Sequence, residues 1–396
     1  MAYTFRYQPL KGMYLTYQAM STLLLRVPLW VLLAIWKRPK KSWSLKRSVL
    51  VKLLGHSMQM ATSIGPISQH PDHLAITGGV DVNGIWVEPA PQLVTGRLKS
   101  WMFATSVEAI RIPGYWMHEQ GSTIEVGAPP APGEKVLYHL HGGAYVRLSA
   151  HPTDLTAAIP RGIVKHVDSI HRSFSIEYRL SSASPFKVAN PFPAALLDAL
   201  AGYNYLVNVV GFSPTDIVIV GDSAGANLAH ALTRYLVEYK DTPELRMPAP
   251  PGSLILLSPW ADMSTSHDIP GGSMFESIPS DYLHPSRNEI DYARVAFTGP
   301  LGGGILVHNP YISPASLNAA MIVDFKGFPR TCIVAGGAEI LYDQIITLRD
   351  RMAKDLGKDL YYYEAKDAVH DFLVLEWHEP ERTETLEAIA NWLAVI

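Results

Sequence analysis

Cysteine is nearly absent: Cys332 is the single one in 396 residues. One thiol forms no intramolecular disulfide and no multi-cysteine zinc site, which excludes a small disulfide-stapled fold. Charge is scarce as well. Asp, Glu, Lys and Arg make up 17% of the chain, against about 25% in an ordinary soluble domain, which points to a large apolar pocket or to contact with lipid. The first 71 positions hold ten Lys and Arg and no acidic residue, so all 36 acidic residues come later, against 23 basic ones. Most of that surface would repel a polyanion, which argues against nucleic-acid binding as the main role. There is no low-complexity tract, no internal repeat and no Asn-x-Ser/Thr site. What is present is 48% hydrophobic residues in a chain long enough to bury a large core.

The basic N-terminal segment surrounds an apolar run, Val27 to Trp36, followed by Lys-Arg-Pro-Lys-Lys at 37–41. Apolar residues beside a basic cluster read as a membrane-surface anchor. The run ends in tryptophan and basic residues rather than at a small-x-small site, which disfavours a cleaved signal peptide. From Tyr14 to Trp36 there is length to cross a bilayer, but Arg26 and Pro28 interrupt it. A span, an interfacial helix and a cap helix packed on the protein therefore all stay open. If it spans, the heavier basic flank after the run leaves an intracellular, cytoplasmic main domain, with which the missing glycosylation signal agrees.

Beyond about residue 130, short apolar runs alternate with helical patterns, the signature of a parallel sheet with crossover helices. Strands are expected at Lys135 to His139, Ser173 to Tyr178, Asp216 to Val220, Ser253 to Leu257, Arg330 to Val334 and Asp359 to Tyr363. Helices are expected at Ala194 to Val210, Ala226 to Tyr239 and Tyr342 to Leu356. The expected fold is α/β, a doubly wound, mostly parallel sheet. The stretch Ala261 to Phe325 breaks the rhythm with Pro, Gly and Ser clusters and reads as an insertion between two strands. Its Gly302-Gly303-Gly304 run lacks the Lys-Ser/Thr of a phosphate loop and reads as a turn.

Chemistry gathers at four places. Gly221-Asp222-Ser223-Ala224-Gly225 follows one expected strand and precedes a helix, where two glycines allow a sharp turn that projects the Ser223 hydroxyl. His141-Gly142-Gly143-Ala144 follows an earlier strand, and its small residues let backbone N–H groups approach a tetrahedral oxyanion. His139 and His141 alternate along the chain as metal ligands could, but no third ligand has suitable spacing, so no metal is expected. A serine needs a base and the base an orienting acid. After the Arg330 strand come Glu339 and Asp343 at i, i+4 spacing, and after the Asp359 strand comes a loop His370. The order Ser, acid, His suits such a sheet. His308 and His378 lack this placement and read as surface or structural.

Together with Tyr178-Arg179-Leu180, Pro191-Phe192-Pro193-Ala194-Ala195, Ser258-Pro259-Trp260 and His370-Asp371-Phe372, these motifs resemble the α/β-hydrolase fold, specifically the hormone-sensitive-lipase-like esterases, from about Gly133 to the C-terminus. The resemblance implies Ser223 as nucleophile, His370 as base, Glu339 as acid and Asp343 as a supporting residue. It implies oxyanion donors at Gly143, Ala144 and Ala224, with Gly142 completing the loop and His141 and Asp222 supporting it. Ala144 stands where the family pattern has a third glycine, and Ser181 to Asn190 replaces the usual Ala-Pro-Glu after Tyr-Arg-Leu. Family organisation implies a cap built from residues 1–75 and the insertion at about 261–325, over a catalytic domain at 76–396. The anchor-like N-terminus resembles, more loosely, the membrane-bound arylacetamide and steryl acetyl deacetylase branch.

The expectation is a serine carboxylic-ester hydrolase that uses no cofactor or metal and takes a small hydrophobic ester. Its rivals are an acyltransferase with the same residues and an alcohol acceptor, and a non-catalytic ligand-binding relative of the fold.

Overall fold

The computed structural model describes residues 3–65, 71–242, 244–284 and 287–395. Positions 1–2 and 66–70 of the expected N-terminal cap segment, and 285–286 of the expected insertion, lie outside the described residues. Eight strands form one sheet: β1 (Asn83–Val87), β2 (Ile112–His118), β3 (Lys135–Leu140), β4 (Ile170–Ile176), β5 (Ile217–Asp222), β6 (Ser253–Leu257), β7 (Arg330–Gly336) and β8 (Leu360–Ala365). Their spatial order is β1-β2-β4-β3-β5-β6-β7-β8. The pairs β1/β2 and β2/β4 are antiparallel, and every pair from β4 to β8 is parallel.

Helices on both faces explain why the central strands are unbroken apolar runs. In β5, Ile217 and Ile219 face one core while Val218 and Val220 face the other. In β6 the same alternation sends Leu254 and Leu256 one way and Ile255 and Leu257 the other. Both strands are fully buried. From β3 the chain first moves to β4 on one side and then returns to β5 on the other. The carboxyl ends of β3 and β5 therefore flank a topological switch point, where open α/β sheets form crevices.

The six expected strands are all present, and Ser253–Leu257 falls where the sequence placed it. β4 begins three residues earlier than expected. β1 and β2 were not anticipated at all: Asn83, Gly84, Pro113 and Gly114 disguise them as turns, and pairing of β1 with β2 and of β2 with β4 makes them strands. The insertion after β6 contributes the helix Arg287–Thr298 and two short turns of helix, Ser273–Glu276 and Ile305–His308.

At the N-terminus, Leu10–Trp36 is one continuous helix of 27 residues, whose most apolar 18-residue window has mean hydropathy 1.8. A second helix, Leu45–Ile64, is capped by the Ser44 side chain, which accepts from the Arg47 N–H at 3.1 Å. This second helix is anchored to the body of the protein. The Trp43 indole donates to the Asp367 carbonyl at 2.7 Å, and Arg47 pairs with Glu381 at 2.7 Å.

Candidate active site

Ser223 occupies the turn between β5 and the helix Ala224–Tyr239, with φ 53° and ψ −116°. A β-carbon on Gly221 would overlap the Gly225 carbonyl oxygen, and one on Gly225 would overlap that of Leu140. Neither can be accommodated, so the turn requires glycine on either side. Two backbone hydrogen bonds fix the serine: its N–H donates to the Leu257 carbonyl at 2.9 Å and its carbonyl accepts from the Trp260 N–H at 3.0 Å.

The loop after β8 brings His370 to this serine. Nε2 lies 3.0 Å from Ser223 Oγ, and Nδ1 donates to Glu339 Oε2 at 2.7 Å. Glu339, on the turn after β7, has no exposed surface. Its other oxygen accepts from the Gly336 N–H at 2.7 Å and the Ser258 hydroxyl at 3.1 Å. Burial alone would lower the His370 pKa, but the carboxylates of Asp371 and Glu339 outweigh it and raise the pKa well above the ordinary histidine range.

Asp343 does not touch His370. Its carboxylate accepts from the Ser273 N–H at 2.7 Å and so ties the insertion to the helix Tyr342–Leu356. Asp281 was not anticipated. It comes from the insertion, accepts from the Ile340 N–H at 2.8 Å and the His370 N–H at 3.4 Å, and so braces both loops. Burial raises its pKa to about 6. Asp371 was also missed as a site residue: its Oδ2 stands 3.0 Å from His370 Nε2. A Pro- and Ser-rich stretch around Asp281 gave no periodic signal, and Asp371 entered only as the middle of the His370-Asp371-Phe372 motif, with no role of its own.

Gly143 has φ +105°, and a β-carbon there would overlap the Arg147 carbonyl oxygen. Gly142 is braced differently: its N–H donates to Asp222 Oδ2 at 3.0 Å, and a β-carbon would overlap that same oxygen. The Gly142 N–H is thus spent on Asp222. Among the described residues, no acceptor takes the N–H groups of Gly143, Ala144 or Ala224. His141 stacks on Tyr178 with ring centroids 4.2 Å apart, and burial drops its pKa to about 4, so it is a neutral support. His139 lies 3.3 Å from Asp222 and 3.2 Å from Ser175, within the sheet. His378 is buried against Glu381.

Arg179 of the Tyr-Arg-Leu motif holds Asp198 at 2.8 Å, pinning the loop before the helix Ala194–Asn204. Ser223 and His370 open into an apolar cavity of about 220 Å³, with Ala144 and Trp260 in its wall. The helix Leu45–Ile64 adds Leu54 and Met58 to that wall, and the insertion adds Tyr282 and Ile290. A hydroxyl, an imidazole and a buried carboxylate in one hydrogen-bonded line can deprotonate the hydroxyl for attack on a carbonyl.

Comparison with known proteins bears on the fold and on the class of reaction. The family profile described as the α/β-hydrolase fold matches residues 137–374. An esterase of Acinetobacter venetianus is 28% identical over 267 residues, covering 66% of this chain and 75% of the relative. An acetyl-hydrolase of Streptomyces hygroscopicus is 29% identical over 268 residues, covering 67% and 77%. The crystal structure of a hormone-sensitive lipase from a metagenome library superposes with a TM-score of 0.54 at 26% identity, covering 72% of this chain and 82% of that one. The profile covers more than half of the chain, and the chain belongs to the α/β-hydrolase fold family, as a hormone-sensitive-lipase-like hydrolase of the carboxylesterase type.

Proposed function

We propose that this protein hydrolyses hydrophobic carboxylic esters with Ser223 as nucleophile, His370 as general base and acid, and Glu339 as the acid that orients it. The observation that carries the proposal is the unbroken line Ser223–His370–Glu339, at 3.0 and 2.7 Å, opening on an apolar cavity. Oγ attacks the ester carbonyl carbon as its proton passes to Nε2. The N–H groups of Gly143, Ala144 and Ala224 receive the oxyanion. Collapse expels the alcohol, which takes the proton from Nε2; water then attacks the acyl-enzyme as its proton passes to Nε2, and the second collapse returns that proton to Ser223 Oγ and frees the acid. Glu339 keeps Nδ1 protonated and stabilises the imidazolium throughout.

Residues 1–75 and about 261–325 act as the cap in this reading, since Leu54, Met58, Tyr282 and Ile290 from these segments line the cavity. Turnover of nitrophenyl esters from acetyl to decanoyl tests the substrate class. Rates that rise with the first added methylenes support the apolar acyl pocket, and a preference for charged or strongly polar acyl groups overturns it.

The N-terminal helix supports a membrane-surface location, with the helix lying in the interface. Its outer side exposes Leu23, Leu25, Leu32 and Trp36, while only 6% of its most apolar window is buried. Its inner side packs on the helix Leu45–Ile64 through Trp30, whose ring centroid lies 5.9 Å from that of His56, and carries a polar cluster in which Arg26 bonds Gln18 at 2.6 Å and Ser21 at 2.9 Å and lies 3.1 Å from His56. That second helix also lines the cavity through Leu54 and Met58. At 1.5 Å per residue the outer helix reaches about 40 Å, enough to span. A span would drag its packed neighbour, and with it the cavity wall, into hydrocarbon. An in-plane helix instead places the apolar side in lipid, the basic cluster at 37–41 among headgroups, and the cavity close to a source of hydrophobic esters.

A further inference from the structure

Two oxygens compete for one nitrogen at the centre of the site. His370 Nε2 has Ser223 Oγ at 3.0 Å and Asp371 Oδ2 at 3.0 Å. Their demands are opposite. A serine about to be deprotonated must donate to a bare Nε2 lone pair, whereas a carboxylate at that distance needs an N–H. Asp371 is only 8% exposed, sits in the left-handed region at φ 45° and lines the same cavity. Its Oδ1 has no hydrogen-bond partner among the described residues, so the His370 ring is the group that satisfies this side chain.

We propose that Asp371 is a latch on the triad base: in the resting protein its carboxylate holds the Nε2 proton and fills the place that the leaving alcohol and the attacking water must reach. This rests on the reading of Ser223 and His370 given above. Arming the site takes one proton. The Nε2 proton is lost to solvent water, and the N–H bonding pair remains on nitrogen as the lone pair. The carboxylate, now without a donor, turns aside, and the Ser223 hydroxyl donates to Nε2. Asp371 is therefore a positioning residue, acting through His370.

The groups facing this pair come from several elements. Asp222 stands at the end of β5, Glu339 follows β7, and Asp281 and Tyr282 come from the insertion. Arg147 and His284 also line the cavity. In that surrounding, burial and the charges of Asp222 and Glu339 bring Asp371 up to about 7, against the opposing pull of His370.

The test uses full-length Asp371→Asn and Asp371→Gly, two residue types that accept left-handed φ. The kcat/KM on nitrophenyl acetate is followed against pH, normalised to sites titrated with a fluorophosphonate. The latch predicts that the acid limb falls by at least one pH unit in both variants, the size of effect a carboxylate in contact exerts. At a pH one unit below the wild-type limb, the variants should then be several-fold faster than wild type. A purely structural role would lower kcat and leave the limb in place, so an unmoved limb in either folded variant overturns the latch. Ser223→Ala separates this from the broader reading: if that variant turns over like wild type, it is the nucleophile assignment that has failed. If neither Asp371 variant folds, ¹⁵N-histidine spectroscopy of the wild type reads the same proton. A protonated Nε2 on His370 at pH 7 supports the latch, and a bare one overturns it.

Discussion

Glu339 accepts a 2.7 Å hydrogen bond from Nδ1 of His370, whereas Asp343, four residues on, is spent on the Ser273 backbone. Spacing alone offered both carboxylates as the acid; the two turns that follow β7 and β8 bring Glu339 to His370 and leave Asp343 on Ser273. Glu339→Gln should therefore cut kcat by about 10³- to 10⁴-fold, because an amide favours the wrong imidazole tautomer. Asp343→Asn should cost less than about tenfold, through looser docking of the insertion. Steady-state kinetics of the two variants decide the matter, and a larger loss in Asp343→Asn would assign the acid to the wrong residue.

Much of this site was legible because its chemistry depends on chain-local features. The Ser223 turn needs small residues beside a buried strand, and Gly221 and Gly225 show that need in the sequence. β5 and β6 were legible because burial on both faces leaves an unbroken apolar run. β1 and β2 were not, since their strand character arises from pairing at the sheet edge, against the local preferences of Pro113 and Gly114. Asp281 and Asp371 were invisible as site residues for a related reason. Each makes a fold-made contact with His370, and nothing in a one-dimensional pattern marks that contact.

Gly143 tests the oxyanion loop. Its φ is +105°, and the Arg147 carbonyl oxygen fills the space a methyl group would need. Gly143→Ala should therefore distort the loop and cost about 1–3 kcal/mol of stability. Its kcat should fall by about 10²-fold or more. Thermal denaturation beside kinetics at a temperature where the variant is folded checks both. Unchanged kcat in a folded variant would remove this loop from the oxyanion site.

The raised His370 pKa fixes the direction of the pH profile. A general base works deprotonated, so kcat/KM should climb with pH through the raised value, above the usual histidine midpoint of about 6.5. The same shift acts on stability in the opposite sense. A histidine whose folded pKa exceeds its unfolded one stabilises fully below the unfolded value, and that contribution disappears as pH rises through the folded value. An acid limb at or below about pH 6 would contradict this environment for His370.

The in-plane helix makes a topological prediction. Cys332 is fully buried, so new cysteines at Tyr7 and Lys41, both exposed, can be read one at a time in sealed vesicles carrying the full-length protein. A membrane-impermeant maleimide should reach both from the same side. Labelling from opposite sides would establish a span.

The most direct test of the account is to identify the residue that a fluorophosphonate modifies in the native protein, by mass spectrometry of its peptides, with nitrophenyl ester turnover followed in the same samples. One equivalent of reagent should be found on Ser223, with complete loss of turnover as it is incorporated, and Ser223→Ala should show neither labelling nor turnover. Turnover that survives stoichiometric labelling of Ser223, or persists in folded Ser223→Ala, would contradict it.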